Sequence, residues 1–292
     1  IGVLFVCPLV NVSAASALDI RRGCFGETTM KPAANANETS DPIGNNLLRA
    51  LRTDDWTILE PKLEEWSAAT GTVLHQPGDT VRSAFFPRNS SLISYLVILE
   101  DGRAIETALV GREGAIGGIV SYGRLPAFSR AEIQRGGSFF RIDLHHLEEA
   151  KTQSLTLRHL FARYADCLMA QVFQSVACNA AHSIEQRTAK WLMAAVERSG
   201  TDDLTLTQEQ LAAMLGVGRS YLSRVIHDLR HRGVIETRRG RIRVCDPHGL
   251  RLLACECNDA VSQHFDDVLK GVYPADENDL AETADVPVRM HR

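Results

Sequence analysis

No run of about 18 consecutive apolar residues occurs in the 292-residue chain, so no transmembrane helix is indicated. Its seven cysteines include no C-x2-C pair, so neither a zinc-ribbon set nor a four-cysteine iron–sulfur set is legible. The chain has no G-x-S-x-G, no H-E-x-x-H and no Walker loop. Those gaps exclude the serine hydrolases, the zinc peptidases and the P-loop enzymes, and no catalytic constellation replaces them. Lysine is missing from residues 207–251, although that segment carries nine Arg against four acids, Glu209, Asp228, Glu236 and Asp246. The segment is therefore net +5 in a chain of net −4. A basic module on an acidic chain suits a polyanionic partner. Hydrophobic residues make up 45% and charged residues 23%, ordinary values for a soluble chain with real cores. The length predicts two domains.

The basic segment has a legible local structure. Thr207 followed by Gln210 is a capping-box helix start. Leu211, Met214 and Leu215 give that short helix one apolar face. Gly216 ends it, since glycine tolerates the left-handed geometry of a tight turn. A second helix is expected from Arg219 to His231. Leu222, Val225, Ile226 and Leu229 fall on one side of it, and Arg219, Ser220, Ser223, Arg224 and His227 on the other. Beyond Gly233, VIETR and RIRVC are short, β-branched runs around Arg239-Gly240, the pattern of a small hairpin. Two helices about a glycine turn, followed by a hairpin, read as a winged helix-turn-helix that binds double-stranded DNA.

The run LTQEQLAAMLGVGRSYLSRVIHDLRHRGVIETRRGRIRVCDPHGL resembles the Crp/Fnr family of bacterial transcription regulators. The resemblance implies that the second helix enters the major groove. It assigns base-edge contact to Arg219, Ser220 and Arg224, with Ser223 on the same face, and phosphate contact to Thr207. Arg238, Arg239 and Arg241 in the wing would meet the backbone. Many members carry Glu at the position of Ser220, so the usual family half-site is not expected here. RNA polymerase is a conceivable further partner.

Upstream, GTVLHQPGDTVRSAFFP and DGRAIETALVGREGAIGG are similar to the sensor roll of the same family. Short strands are expected at Thr72–Leu74, Ala84–Phe86, Leu92–Leu99 and Arg103–Val110, with turns at Gln76–Asp79 and Asp101-Gly102. Asn46–Leu63 reads as one or two short helices broken near Pro61. Cyclic-nucleotide binders in the family use Gly-Glu-Leu and then Arg-Ser. Here those positions hold Gly117, Gly118 and Ile119, then Phe128 and Ser129. Both charged contacts are missing, and a cyclic phosphate without a cation is costly to bury. Arg130 is the nearest substitute. Gly117, Gly118, Ser129 and Arg130 are thus the effector-pocket candidates, of unknown ligand, with standard cyclic-nucleotide binding not expected. Nor is an iron–sulfur cluster or metal expected, since no cysteine lies between Met30 and Asp166.

Helical spacing returns at Leu144. From Leu155 to Asn179 the residues Leu157, Phe161, Tyr164, Leu168, Val172 and Val176 form a coiled-coil-like stripe, read as the seam of a homodimer. The cysteines are read as reduced thiols, with redox sensing through Cys167 or Cys178, which could meet their dimer mates, as the lesser alternative. His182–Ser199 is a further helix, and Asp246-Pro247 starts another that runs to Leu269. In such a helix Cys255 and Cys257 point about 200° apart.

The fold expected is α+β: an antiparallel, jelly-roll-like β-roll, a long dimerisation helix and a C-terminal winged helix-turn-helix. Its parts are a leader over 1–44, disordered or lying before a true start at Met30; a sensor roll over 45–143; the dimerisation helix over 144–180; the DNA-binding domain over 181–270; and a disordered tail over 271–292. The function read from this is a cytoplasmic, homodimeric transcription regulator. The competing reading is a ligand-independent or redox-switched regulator whose roll is an interaction surface.

Overall fold

The computed structural model describes residues 43–120 and 125–269. The expectations for most of the leader, for Met30 and for the tail lie outside the described residues. Ile43 and Gly44 already join the fold: Ile43 packs against a core cluster, and the Gly44 carbonyl accepts from Asn89 N–H at 2.8 Å.

Two short helices open the chain, α1 (Asn46–Arg49) and α2 (Thr53–Leu59), followed by a 3-10 turn at Glu60–Lys62. The roll comprises β1 (Glu64–Ala68), β2 (Val73–His75), β3 (Ser83–Pro87), β4 (Leu92–Ile98), β5 (Ala104–Val110), β6 (Arg130–Arg135) and β7 (Gly137–Asp143). These form two antiparallel sheets, ordered β1-β7-β3 and β2-β6-β4-β5. Phe85, Ile93, Ile116, Ile133 and Phe139 fill the space between them. Strand β4 is nearly all apolar because both of its faces are covered. Ile93 points into the roll, while Leu92 and Leu96 join the core of the C-terminal domain.

Strands β1, β6 and β7 were not legible in the sequence. EEWSA, RAEIQR and GSFFRID are mixed segments whose strand state comes from pairing, for instance Trp66 opposite Phe139. Pro61 sits inside the 3-10 turn, and Leu63 is already extended.

After α3 (Leu144–Gln153), the long helix α4 runs Leu155–Ala181. Its 27 residues span roughly 40 Å. Ser154 caps it and also donates to the buried Asp55 carboxylate. The expected stripe divides. Leu157, Phe161 and Tyr164 are buried within the protomer against α1, α2 and the roll, because the roll lies over the first half of the helix. Leu168 is partly buried there too. Only farther along do Met169, Val172, Phe173 and Val176 form an exposed apolar row.

Helix α5 (Ile184–Ser199) leads into β8 (Asp203–Leu204), α6 (Gln208–Met214), α7 (Arg219–His231), β9 (Ile235–Arg238) and β10 (Arg241–Val244). The small sheet is ordered β8-β10-β9. The last expected helix is in fact two, α8 (Pro247–Leu253) and α9 (Cys257–Leu269). The chain turns extended at Ala254, which lets α9 run back along α4 and set Phe265 edge-on to Tyr164 at 6.1 Å. Cys255 and Cys257 therefore do not share a helix, and the opposed geometry expected for them does not occur. Among the described residues no helix is long and apolar enough to cross a membrane.

Candidate nucleic-acid interface

The capping box at the start of α6 forms: the Thr207 hydroxyl accepts from Gln210 N–H at 3.1 Å, and the Gln210 side chain accepts from Thr207 N–H at 2.9 Å. The Thr207 hydroxyl also donates to Gln210 Oε1, so it must rearrange before donating to a phosphate. Gly216, at φ +70°, closes the turn.

Helix α7 is held by one face. Leu222, Val225, Ile226 and Leu229 are buried with Leu211, Met214 and Trp191 in a single core. Fixing that face leaves Arg219, Ser220, Arg224 and His227 exposed on the other. Ser223 is half-buried, and its hydroxyl donates to Gln208 Oε1 at 3.0 Å, tying the two helices together. Gly218 at the N-cap brings no side-chain oxygen, so the positive end of the helix dipole can receive an anion. Arg219 lies 3.8 Å from Glu209, both well exposed, a pair that water screens and a phosphate can displace.

Tyr221 was missed in the sequence. Its ring lies 5.3 Å beneath the Arg224 guanidinium, and its hydroxyl donates to Glu185 at 3.1 Å. The signal was available, since Tyr and Arg three apart on a helix are neighbours. The stack limits the rotamers of Arg224 and orients it before any DNA arrives.

The wing turns at Arg239-Gly240, with Gly240 at φ +71° and Arg238 opposite Arg241. Arg239 is exposed at the tip. Arg241 is paired with Asp203 at 2.7 Å and Arg243 with Asp202 at 3.1 Å. Those carboxylates reduce the charge that the base of the wing offers to a phosphate.

The DNA-reading domain rests on the roll. Trp191 Nε1–H donates to Glu106 at 2.6 Å, and Ser94 shares that carboxyl group. Arg135 donates to the Asp203 carbonyl at 2.7 Å. Burial raises the Glu106 carboxyl above the usual carboxylate range, opposed by the Ser94 and Trp191 hydrogen bonds and the charges of Lys190 and Arg198.

Three of the four effector-pocket candidates, Gly117, Gly118 and Arg130, make structural contacts. A Cβ at Gly117 would lie 2.4 Å from the Ser83 carbonyl, and one at Gly118 would lie 2.7 Å from Leu144. These glycines permit close packing. The Gly117 N–H donates to the Tyr95 hydroxyl at 3.1 Å. Arg130 is held by Gln76 at 2.9 Å and Glu132 at 3.6 Å. Ser129 lies in the bend just before β6, beside the exposed Phe128. The two cysteines of the long helix bear on the redox alternative. Cys167 and Cys178 are buried inside the protomer, not on its outer row. Burial pushes their thiols up to about 11 and about 12, which disfavours the reactive thiolate.

A roll, a long helix and a winged helix-turn-helix with a basic outer face together have the build of a DNA-binding transcription regulator. The family described as Crp-like helix-turn-helix domain matches residues 186–253. The solved structure of FixK2 from Bradyrhizobium japonicum superposes with a TM-score of 0.57 at 16% identity, covering 66% of this chain and 98% of that one. A Crp/Fnr-family regulator from Eubacterium rectale does so at 0.52 and 20% identity, covering 71% and 96%. The c-di-GMP-responsive regulator CLP of Xanthomonas campestris does so at 0.54 and 14%, covering 66% and 99%. No curated protein matches the sequence. Residues 186–253 are thus a Crp-like helix-turn-helix domain, and the chain shares the fold of solved Crp/Fnr-type regulators.

Proposed function

We propose that this regulator acts in the cytoplasm as a homodimer that reads a two-fold symmetric DNA site, with a roll that does not take a cyclic nucleotide in the standard way. The exposed face of α7 carries the reading: Ser220 and Arg224 address base edges, aided by Arg219, while Arg239 and Arg238 meet phosphates. Thr207 lies at the phosphate-facing start of α6. Ser223 serves α6–α7 packing first. The exposed row Met169, Val172, Phe173 and Val176 supports pairing through α4. A dimer sets two recognition helices about one helical turn of DNA apart, and one alone would bury too little surface for tight specific binding. The close packing around Gly117 and Gly118 and the engaged Arg130 support the reading of the effector site.

Selection of DNA from a random pool with purified protein and no added ligand tests this. A palindromic site with half-sites about 10 base pairs apart is the expected result. Enrichment only after cyclic nucleotide is added would overturn the proposal for the roll. No enrichment under either condition would overturn the proposal for α7.

A further inference from the structure

The break between α8 and α9 gathers a set of side chains that DNA binding does not use. Cys178 lies in the last turn of α4, and His182 is that helix's C-cap residue. Cys255 sits in the break, and Cys257 begins α9. The three sulfurs and a His182 ring nitrogen all lie within 4.8 Å of one another. The sulfurs of Cys178 and Cys255 are 3.6 Å apart, and Cys257 Sγ is 3.4 Å from His182 Nδ1.

Those separations have a chemical meaning. Zinc binds sulfur at about 2.3 Å and imidazole nitrogen at about 2.0–2.1 Å, as a tetrahedron. The edges of that tetrahedron follow from the bond lengths: about 3.8 Å between sulfurs and about 3.6 Å between sulfur and nitrogen. The Cys178–Cys255 and Cys257–His182 contacts match these edges to within about 0.2 Å, the tolerance expected of a metal site. Donors this close fit around a single ion. A cluster of several irons needs its thiolates farther apart.

The surroundings are those of a ligand set. His182 Nε2 lies 3.3 Å from the Glu256 carboxylate, the outer contact that fixes the tautomer of a metal-bound histidine and leaves Nδ1 to the ion. Gln174 Nε2 donates to Cys257 Sγ at 3.1 Å, a bond that supports a thiolate. All three sulfurs are buried, and they form a cluster of their own outside the larger apolar cores.

We propose that Cys178, His182, Cys255 and Cys257 bind one divalent cation of the zinc class as a closed Cys3His site, with Glu256 orienting the histidine. Binding releases the thiol protons to solvent as the sulfurs become thiolates. With four protein ligands the site has no open position, so its role is structural. It clamps the start of α9 onto the end of α4, and Phe265, two turns along α9, then reaches Tyr164 beneath the roll. The site thereby ties the roll, the long helix and the DNA-reading domain together at one point.

The test uses the full chain from zinc-replete culture, purified anaerobically under reduction without chelator. Elemental analysis should return about one zinc per protomer. Exchange with Co2+ should give the intense ligand-field and thiolate charge-transfer bands of a tetrahedral, sulfur-rich site. Cys257→Ser and His182→Ala should lose the ion, while Cys167→Ser and Cys245→Ser keep it. Because ligand variants can misfold, Glu256→Gln on the exposed rim gives a second reading: zinc affinity falls about 10-fold or more, with stoichiometry intact at saturating zinc. A protein that carries no zinc and gives no tetrahedral Co2+ spectrum overturns the proposal. So does a Cys178–Cys255 disulfide in the anaerobic preparation, or full zinc occupancy in Cys257→Ser. These readouts involve no DNA, so their failure is separate from failure of the DNA-binding proposal.

Discussion

At the scale of single residues, Arg224 and Arg239 carry the same charge in different settings. Arg224 stacks on Tyr221 on the exposed face of α7 that is proposed to read bases, whereas Arg239 stands at the wing tip, where phosphate contact is proposed. Arg224→Ala is expected to cost about 1–3 kcal/mol on the selected site and to relax base preference at one position. Arg239→Ala should weaken all sequences alike and reduce the salt slope by about one. Binding titrations on specific and random DNA at several salt concentrations separate the two, and equal losses on both DNAs for Arg224→Ala would remove it from base reading. Tyr164 is a residue of another kind. Its buried hydroxyl accepts from Ala115 N–H and donates to Ala115 C=O, both at 2.9 Å. Tyr164→Phe leaves both main-chain groups buried without that partner, and should lower unfolding free energy by about 1–3 kcal/mol per unsatisfied group. Denaturant unfolding measures it; an unchanged midpoint would mean that water takes the hydroxyl's place.

Between elements, the telling contact is Glu106 on β5 beneath Trp191 on α5. The folded protein holds this carboxyl's pKa above its ordinary 4.5, chiefly through burial. The native state therefore binds the proton more tightly than the unfolded chain does. Stability from this group is complete below the unfolded value and declines as pH rises from there through the raised folded value. Glu106→Gln keeps an acceptor for Trp191 and a donor for Ser94 without the ionisation. Its stability advantage over the unmutated protein should grow from pH 4 toward neutrality, about the range in which the unfolded carboxyl ionises. Parallel stability curves would show that the carboxyl ionises alike in both states. The same scale explains which strands escaped the sequence. LISYLVI at β4 reads as a strand by its apolar, β-rich content alone. EEWSA at β1 carries no such signal and is extended because β7 supplies its hydrogen-bond partners.

For the whole molecule, the proposed pairing rests on the outer row of α4. Phe173 is 64% exposed and Val176 66%, unusual for large apolar groups on one helix face. If the proposed seam is right, Phe173→Glu should convert the dimer to monomers and abolish tight binding to a palindrome while leaving each protomer folded. Sedimentation equilibrium and circular dichroism check the two halves of that statement, and a dimer that persists would place the seam elsewhere.

The sequence by itself determined the DNA-reading element. Capping boxes, helix periodicity, a glycine turn and a two-residue hairpin are local rules, satisfied within a few residues of where they are read. Hence α7 begins and ends where its pattern says. Tertiary structure decided what depends on distant partners. It decided which half of the α4 stripe is core, since the roll packs over Leu157, Phe161 and Tyr164 and stops short of Val172 and Val176. It broke the last helix at Ala254, because α9 buries its apolar face only by returning along α4. That break brings Cys255 and Cys257 to Cys178, 77 residues away from Cys255 in the chain. No spacing rule reports such a meeting, because the four donors converge only after three helices have packed.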